Sequence, residues 1–300
     1  MAETMIGELA ALGAAISWTV SALFYRKALE EASPISANII RLTLTGSILL
    51  LLLVFLGKLT VLTTLPLELV LLASASGIIG LGLGDTLYFM SLKWIGVARA
   101  VPLTCIYPLF SVLWAVFLVG ERITLAVVLG AVVIVLGILF LGQDSQANTT
   151  DTRKALIVGT VIALATAAVW SVSITMMDVA VKESQDIDHA LIINTIRVIT
   201  VAAVLLASSP IIDKKLGFLK VRKRTVVALI AGGIAALGVG WFFLSYSFTM
   251  TSQARAVPIS STTPLFSTLA GILLLREKVT AHNVFGSIMV VVGIFLLFLV

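Results

Sequence analysis

The sequence predicts an all-α membrane protein of ten transmembrane helices, built as two inverted five-helix repeats. Three observations carry that prediction: a composition too poor in charge to cover a water-facing surface, a succession of bilayer-length apolar stretches, and an internal repeat whose unit holds an odd number of them. Hydrophobic residues make up 60% of the chain and charged residues 12%, with a mean hydropathy of +1.15. A soluble domain carries about 25% charged residues, so this surface faces lipid. The net charge of +5 therefore says little about nucleic acid, and no nucleic-acid partner is expected. What matters in a membrane protein is which loops hold the lysines and arginines. The single Cys105 lies in an apolar stretch, which excludes an internal disulfide and gives no metal cluster. Met1 to Glu8 hold Glu3 and Glu8 but no Lys or Arg. A cleavable signal peptide starts basic, so the segment from Ile6 reads as a retained first span.

A hydrocarbon core about 30 Å thick needs roughly 20 apolar residues per helix. The apolar pattern breaks at Arg26-Lys27 to Ser33-Pro34, Gly57-Lys58 to Pro66, Lys93 to Arg99, Gly120-Glu121-Arg122 and Asp144 to Lys154. It breaks again at Asp178 to His189, Pro210 to Arg224, Thr251 to Arg255 and Arg276-Glu277-Lys278. The expected spans are 7–25, 36–56, 68–92, 98–119, 124–142, 154–177, 189–208, 225–248, 254–275 and 280–299.

The repeat is direct. Ala98-Arg-Ala-Val-Pro102 recurs as Ala254-Arg-Ala-Val-Pro258, Pro108-Leu-Phe-Ser111 as Pro264-Leu-Phe-Ser267, and Glu121-Arg-Ile-Thr124 as Glu277-Lys-Val-Thr280, all at an offset of 156. Gly77–Leu141 aligned with Gly233–Leu297 gives 25 identities in 65 ungapped positions. Asn38-x-x-Arg41 matches Asn194-x-x-Arg197 at the same offset, and Trp18 matches Trp170 at 152. Residues 1–142 form one repeat, 143–153 a polar linker and 154–300 the second repeat. Five spans per half put the second half's start on the opposite membrane face. Such inverted repeats are chiefly a transporter architecture, with substrate near the midplane between halves; a duplicated scaffold without transport is the structural alternative.

The paired Trp in spans 1 and 6, the Gly-rich span 3, the Ala-x-Ala-x-Pro entries to spans 4 and 9, the Pro-x-Phe kink and the Gly-Glu loop before span 5 give the chain its likeness. It resembles the EamA family of the drug/metabolite transporter superfamily over both halves. The resemblance implies transport of small metabolites or amino acids, often export, by alternating access, with spans 1, 3, 4, 6, 8 and 9 around a central cavity. It also implies a multi-pass protein of the cell membrane. Arg276-Glu277 stands where the first half has Gly120-Glu121, a departure without functional weight.

Candidate transport residues follow from polarity at depth. Asp85 sits inside span 3, where ionisable groups face a partner or a wet cavity, and Arg41 in span 2 reaches similar depth from the same face. The pair reads either as a structural lock or as a proton or substrate relay. Arg197 matches Arg41, but the position matching Asp85 is Trp241, so Arg197 lacks the equivalent acid. Either Asp178 neutralises Arg197, or Arg197 offers a fork to a substrate carboxylate with Trp241 as its wall. Trp18, Ser21 and Tyr25 share one face of span 1, and Trp170, Ser173 and Met177 one face of span 6, either as helix–helix glue or as cavity lining. Tyr88 and Tyr246 are weaker candidates of the same kind. Pro102, Pro108, Pro258 and Pro264 should bend spans 4 and 9, with Ser260 to Thr263, including Thr262, either satisfying freed carbonyls or lining a path. Glycines 77, 80, 82 and 84 in span 3 and 232, 233, 238 and 240 in span 8 favour close packing. Arg99 with Glu277 on one face and Arg255 with Glu121 on the other read as gates or as interfacial snorkelling.

Outside Arg41 and Arg197, loops after odd-numbered spans hold 14 Lys and Arg against 4 on the opposite face, six of them between Lys214 and Arg224. The positive-inside rule puts that face in the cytoplasm, whereas the resemblance implies cytoplasmic termini. There is no G-x-x-x-x-G-K-[ST] motif, so no nucleotide or other cofactor is expected and energy comes from a gradient, with protons as the candidate coupling ion and Asp85 as their carrier. An intramembrane lipid-modifying enzyme would need paired acids or metal-spaced histidines, and His189 and His282 lie at span edges. A non-transporting membrane subunit is the other rival. The expected partners are a small-molecule substrate and the bilayer, and monomer and homodimer both stay open.

Overall fold

A computed structural model describes residues 2–120, 122–143, 153–182, 186–213, 216–275 and 280–298; Glu121, Glu277 and the linker segment 144–152 lie outside them. Helix makes up 89% of the structure and no strand occurs among the described residues, as the composition requires. In chain order the helices are α1 (Ala2–Ala28), α2 (Pro34–Phe55), α3 (Leu59–Thr64), α4 (Leu67–Gly77), α5 (Asp85–Thr104), α6 (Tyr107–Phe117) and α7 (Leu125–Gln143). There follow α8 (Arg153–Lys182), α9 (Ile187–Ile212), α10 (Lys223–Gly233), α11 (Trp241–Met250), α12 (Gln253–Ser260), α13 (Thr263–Leu275) and α14 (Ala281–Phe298). Seven segments among the described residues are long and apolar enough to cross a bilayer, and Leu125–Phe140 and Val284–Leu297 are shorter apolar helices. The protein is a multi-pass membrane protein.

Local chemistry explains where helices start. Ser33 caps α2 by accepting from the Ser36 amide at 3.0 Å, with Pro34 in the first turn where its missing N–H costs nothing. Asp186 caps α9 through the Asp188 amide. The break expected from Lys93 to Arg99 falls inside α5, which stays helical to Thr104. Its counterpart does break: Thr251 is extended and Ser252, with the backbone of an N-cap, starts α12. The first half has Ile95 and Gly96 at those two positions, inside the continuous α5.

Both Gly-rich segments depart from the α-helix. Ile78–Gly84 and Ile234–Gly240, equivalent in the repeat, are π-helical. A π turn shifts backbone bonds out of the α register, and a bilayer offers no water to a carbonyl left short. The Asn38 amide donates to Leu81 O at 3.0 Å and the Asn194 amide to Leu237 O at 2.8 Å. The asparagine of each Asn-x-x-Arg pair thus supports the π turn of its own half.

The four prolines do more than bend their helices. α5 stops at Thr104 after Pro102 and α6 restarts with Pro108 in its first turn; α12 stops at Ser260 after Pro258 and α13 restarts at Thr263-Pro264. The hydroxyls of Thr104, Ser260, Ser261 and Thr262 each donate to the carbonyl three residues earlier, at 2.7–3.0 Å. Ser260 and Thr262 therefore satisfy backbone at the break.

α7 and α14 cross with their backbones in contact. A Cβ added at Gly130 would lie 3.0 Å from Gly293 O, and one at Gly137 2.8 Å from Gly286 O. The paired number falls in one helix as it rises in the other, so these equivalent helices run antiparallel. Gly137→Ala would force the carbonyl aside, and we expect it to destabilise the protein by about 1–3 kcal/mol, read as a lower unfolding midpoint in detergent.

Candidate functional site

Arg41 projects from α2 into the bundle and is 3% exposed. Its Nη2 donates to Asp85 Oδ2 and its Nε donates to Asn38 Oδ1 at 2.9 Å. Its guanidinium lies over Phe89 at 4.6 Å and Tyr25 at 5.1 Å from the ring centroids. Trp170 Nε1, from the other half, donates to Asp85 Oδ1 at 2.8 Å. Each carboxylate oxygen thus has its own donor, one from each half. The expected Arg41–Asp85 pairing is the observed one, and Trp170 joins it.

The matching site is built differently. Arg197 is 0% exposed, with Nε on Ser76 Oγ at 3.1 Å, Nη2 on Ser173 Oγ at 3.2 Å and Nη1 on Met177 Sδ at 2.6 Å. Its guanidinium stacks over Trp241 at 4.3 Å. Ser76 and Ser173 each donate to the other's carbonyl at 2.7 Å, clasping α4 to α8. Every one of these partners is neutral, and no carboxylate among the described residues forms an ion pair with Arg197. Asp178 does not neutralise it, contrary to the first sequence alternative. It pairs instead with Lys182 at 2.9 Å, one turn further along α8.

The halves interlock through their tryptophans. Trp170 lies on the backbone at Gly84, and Trp18 on the backbone at Gly240. A Cβ at either glycine would come within 2.6 Å of the indole. Trp18 Nε1 donates to Ala236 O at 3.3 Å, because position 241 offers a second indole where position 85 offers a carboxylate. Trp18 and Trp241 meet edge to face at 5.3 Å.

The ends beyond these two sites also differ. A cleft of about 180 Å³ opens beside Tyr25, lined by Ala22, Leu29, Tyr88, Phe89 and Leu92 with Glu30 and Lys93 at its rim. At the equivalent end Ile174, Met177, Val181, Leu244, Ser245 and Phe248 are all buried, none more than 2% exposed. Gln253 adds a polar clasp there, its Nε2 donating to Thr175 Oγ1 at 2.8 Å and Ser111 O at 3.0 Å.

Of the remaining sequence candidates, Tyr88 lies at the cleft, its ring 5.1 Å from Trp170. Ser21 donates back to Trp18 O at 2.8 Å within its own helix, and Tyr246 stacks on Phe242 at 6.2 Å, apart from both arginine sites. Ser260 also meets the Tyr107 hydroxyl at 3.3 Å. Arg255 pairs with Glu8 at 3.2 Å and donates to Leu297 O at 2.6 Å, so it ties the two ends of the chain together. Ser76, Phe89, Tyr107 and Gln253 escaped the sequence reading. Phe89 was findable as one turn beyond Asp85 on the same face, and Tyr107 as the residue on which α6 restarts.

The EamA-like transporter family model matches residues 5–143 and 157–299, one copy on each half of the chain. The chain belongs to the EamA-like transporter family. That places this EamA protein in the drug/metabolite transporter superfamily and makes it a membrane transporter, not an enzyme. An uncharacterized transporter of Archaeoglobus fulgidus is 26% identical over 295 residues, covering 98% of this chain and 99% of its own. An uncharacterized transporter of Clostridium kluyveri is 22% identical over 217 residues, covering 72% of this chain and 68% of its own. A solved crystal structure matches with a TM-score of 0.79 at 19% identity, covering 98% of this chain and 96% of that one, a likeness of fold alone.

The two arginines should respond differently to removal. Arg41→Gln leaves the Asp85 carboxylate buried without its cation, at a cost of about 3–5 kcal/mol. Arg197→Gln strands no carboxylate and should cost less. Unfolding midpoints of the two purified variants test that order, and the reverse order would refute this assignment of partners.

Proposed function

We propose that this EamA protein is a secondary transporter that moves small polar or amphipathic metabolites, amino acids among them, out of the cell by alternating access. In this reading ten spans form two inverted five-helix halves, residues 1–142 and 154–300, embedded in the cell membrane. The observation that carries it is the contrast between equivalent ends: a cleft beside Tyr25 and a packed plug around Met177. Two halves of similar sequence hold different conformations, as a protein open to one side at a time requires. The antiparallel crossing of α7 and α14 supports the inversion, because equivalent helices then point opposite ways. Trp18 and Trp170, each seated on the other half's π turn, are the contacts across which one half would rock.

Coupling falls to Asp85. A proton there removes the charge that holds both Arg41 and Trp170, loosening a contact within one half and a contact between halves in a single step. Reconstituted protein should show counterflow of labelled amino acids without lipid movement, and Asp85→Asn should make flux indifferent to an imposed pH gradient. Flux in that variant that still follows the gradient would remove Asp85 from coupling. For topology, a cysteine at Ala2→Cys and one at Ala147→Cys, each in a Cys105→Ser background, should label from opposite faces. Labelling from the same face would exclude five crossings between them.

A further inference from the structure

Among the described residues, the fully buried Arg197 forms no ion pair with a carboxylate. Glu8 is matched by Arg255, Asp178 by Lys182 and Asp85 by Arg41, whereas Arg197 has only neutral partners among the described residues. Arginine keeps its charge at any accessible pH, and a cation buried in an apolar bundle without a counter-ion is costly. The acceptors it has found are uneven in quality. Two are hydroxyls already engaged with each other's backbone carbonyls, and the third is a thioether, a weak acceptor.

The first half shows what a completed site looks like. There Arg41 has a carboxylate at position 85; at the equivalent position 241 the second half has an indole, stacked on the guanidinium and backed by Trp18. Met177 occupies the place that Tyr25 holds over Arg41. An unbranched thioether swings aside more readily than a buried ring, so the contact most easily given up is the one on Nη1.

We propose that Arg197 is an anion site, taking the carboxylate of an organic acid with an apolar or aromatic body. The carboxylate replaces Met177 Sδ at Nη1, and the apolar body lies along Trp241. This rests on the transport reading for its role, since it names the class of substrate the protein carries. Arg197 is occluded in the conformation described, so the ligand enters when the end around Met177 opens.

Benzoate and benzamide share shape and differ in charge, which makes them the probes. Thermal unfolding of the purified full-length protein in detergent should show saturable stabilisation by benzoate and none by benzamide at equal concentration. A charge-assisted bond is worth about 1.5–3 kcal/mol, so Arg197→Gln should weaken the apparent benzoate affinity by roughly tenfold to a hundredfold. Trp241→Asp supplies from within the carboxylate that Asp85 supplies to Arg41, an arrangement the first half already tolerates. It should fold and lose benzoate binding, while Arg197→Lys, which keeps the charge but not the fork, should bind with intermediate affinity. Equal stabilisation by benzamide, no effect of benzoate on the wild type, or unchanged benzoate affinity in whichever of these variants folds would overturn the proposal. Any of those results leaves counterflow of other substrates intact. Absence of counterflow with every substrate would instead defeat the transport reading itself.

Discussion

A guanidinium in the interior of a membrane protein must receive from the protein everything water would have supplied. This structure meets that demand twice, by different means, and much of its architecture is arranged around the result. Arg41 is compensated by charge, with Asp85 on one nitrogen and the rings of Tyr25 and Phe89 alongside. Arg197 has neutral groups at contact distance, two hydroxyls, a sulfur and an indole. The helices that bring these groups together are α1, α2, α5 and α8 in one case and α4, α8, α9 and α11 in the other. α8 serves both sites through residues one turn apart, so the two arginines are not independent.

Backbone chemistry makes this placement possible. The π turns at Ile78–Gly84 and Ile234–Gly240 carry glycine where the opposite half's tryptophan must lie, and asparagine side chains satisfy a carbonyl of each turn. Each arginine is three residues beyond the asparagine on its own helix, on nearly the same face. One four-residue motif therefore supports the π turn and delivers the charge. In water a loose carbonyl would be solvated at little cost; here it would be a liability, which explains why side chains attend to it.

Equivalence between halves is broken at a handful of positions, and those breaks fall at the chemistry. Asp85 against Trp241, Tyr25 against Met177 and Ser76 against Gly232 are the differences that leave one end with a cleft and close the other with a serine clasp. An exact duplicate would present the same surface to both sides. Divergence at these few sites gives one scaffold an arginine in an ion pair in one half and an arginine held by neutral contacts in the other.

The sequence alone determined the membrane environment, because charge is too scarce to cover a surface in water. It also exposed the two-fold repeat, since matched Arg, Pro and Glu are rare types in an apolar chain. The Arg41–Asp85 pair was legible from depth alone: two opposite charges on adjacent spans, entering from one face, have few other partners. Tertiary structure decided the rest. Trp170 reaches Asp85 and Trp18 reaches the opposite π turn across the boundary between halves, a distance in sequence that no local spacing encodes. Asp178 chose Lys182 over Arg197 because a partner one helical turn away needs no other element to bring it close. The π turns, the continuity of α5 and the unequal ends depend on which backbone groups find donors and which faces find neighbours, and only the packed bundle settles that competition.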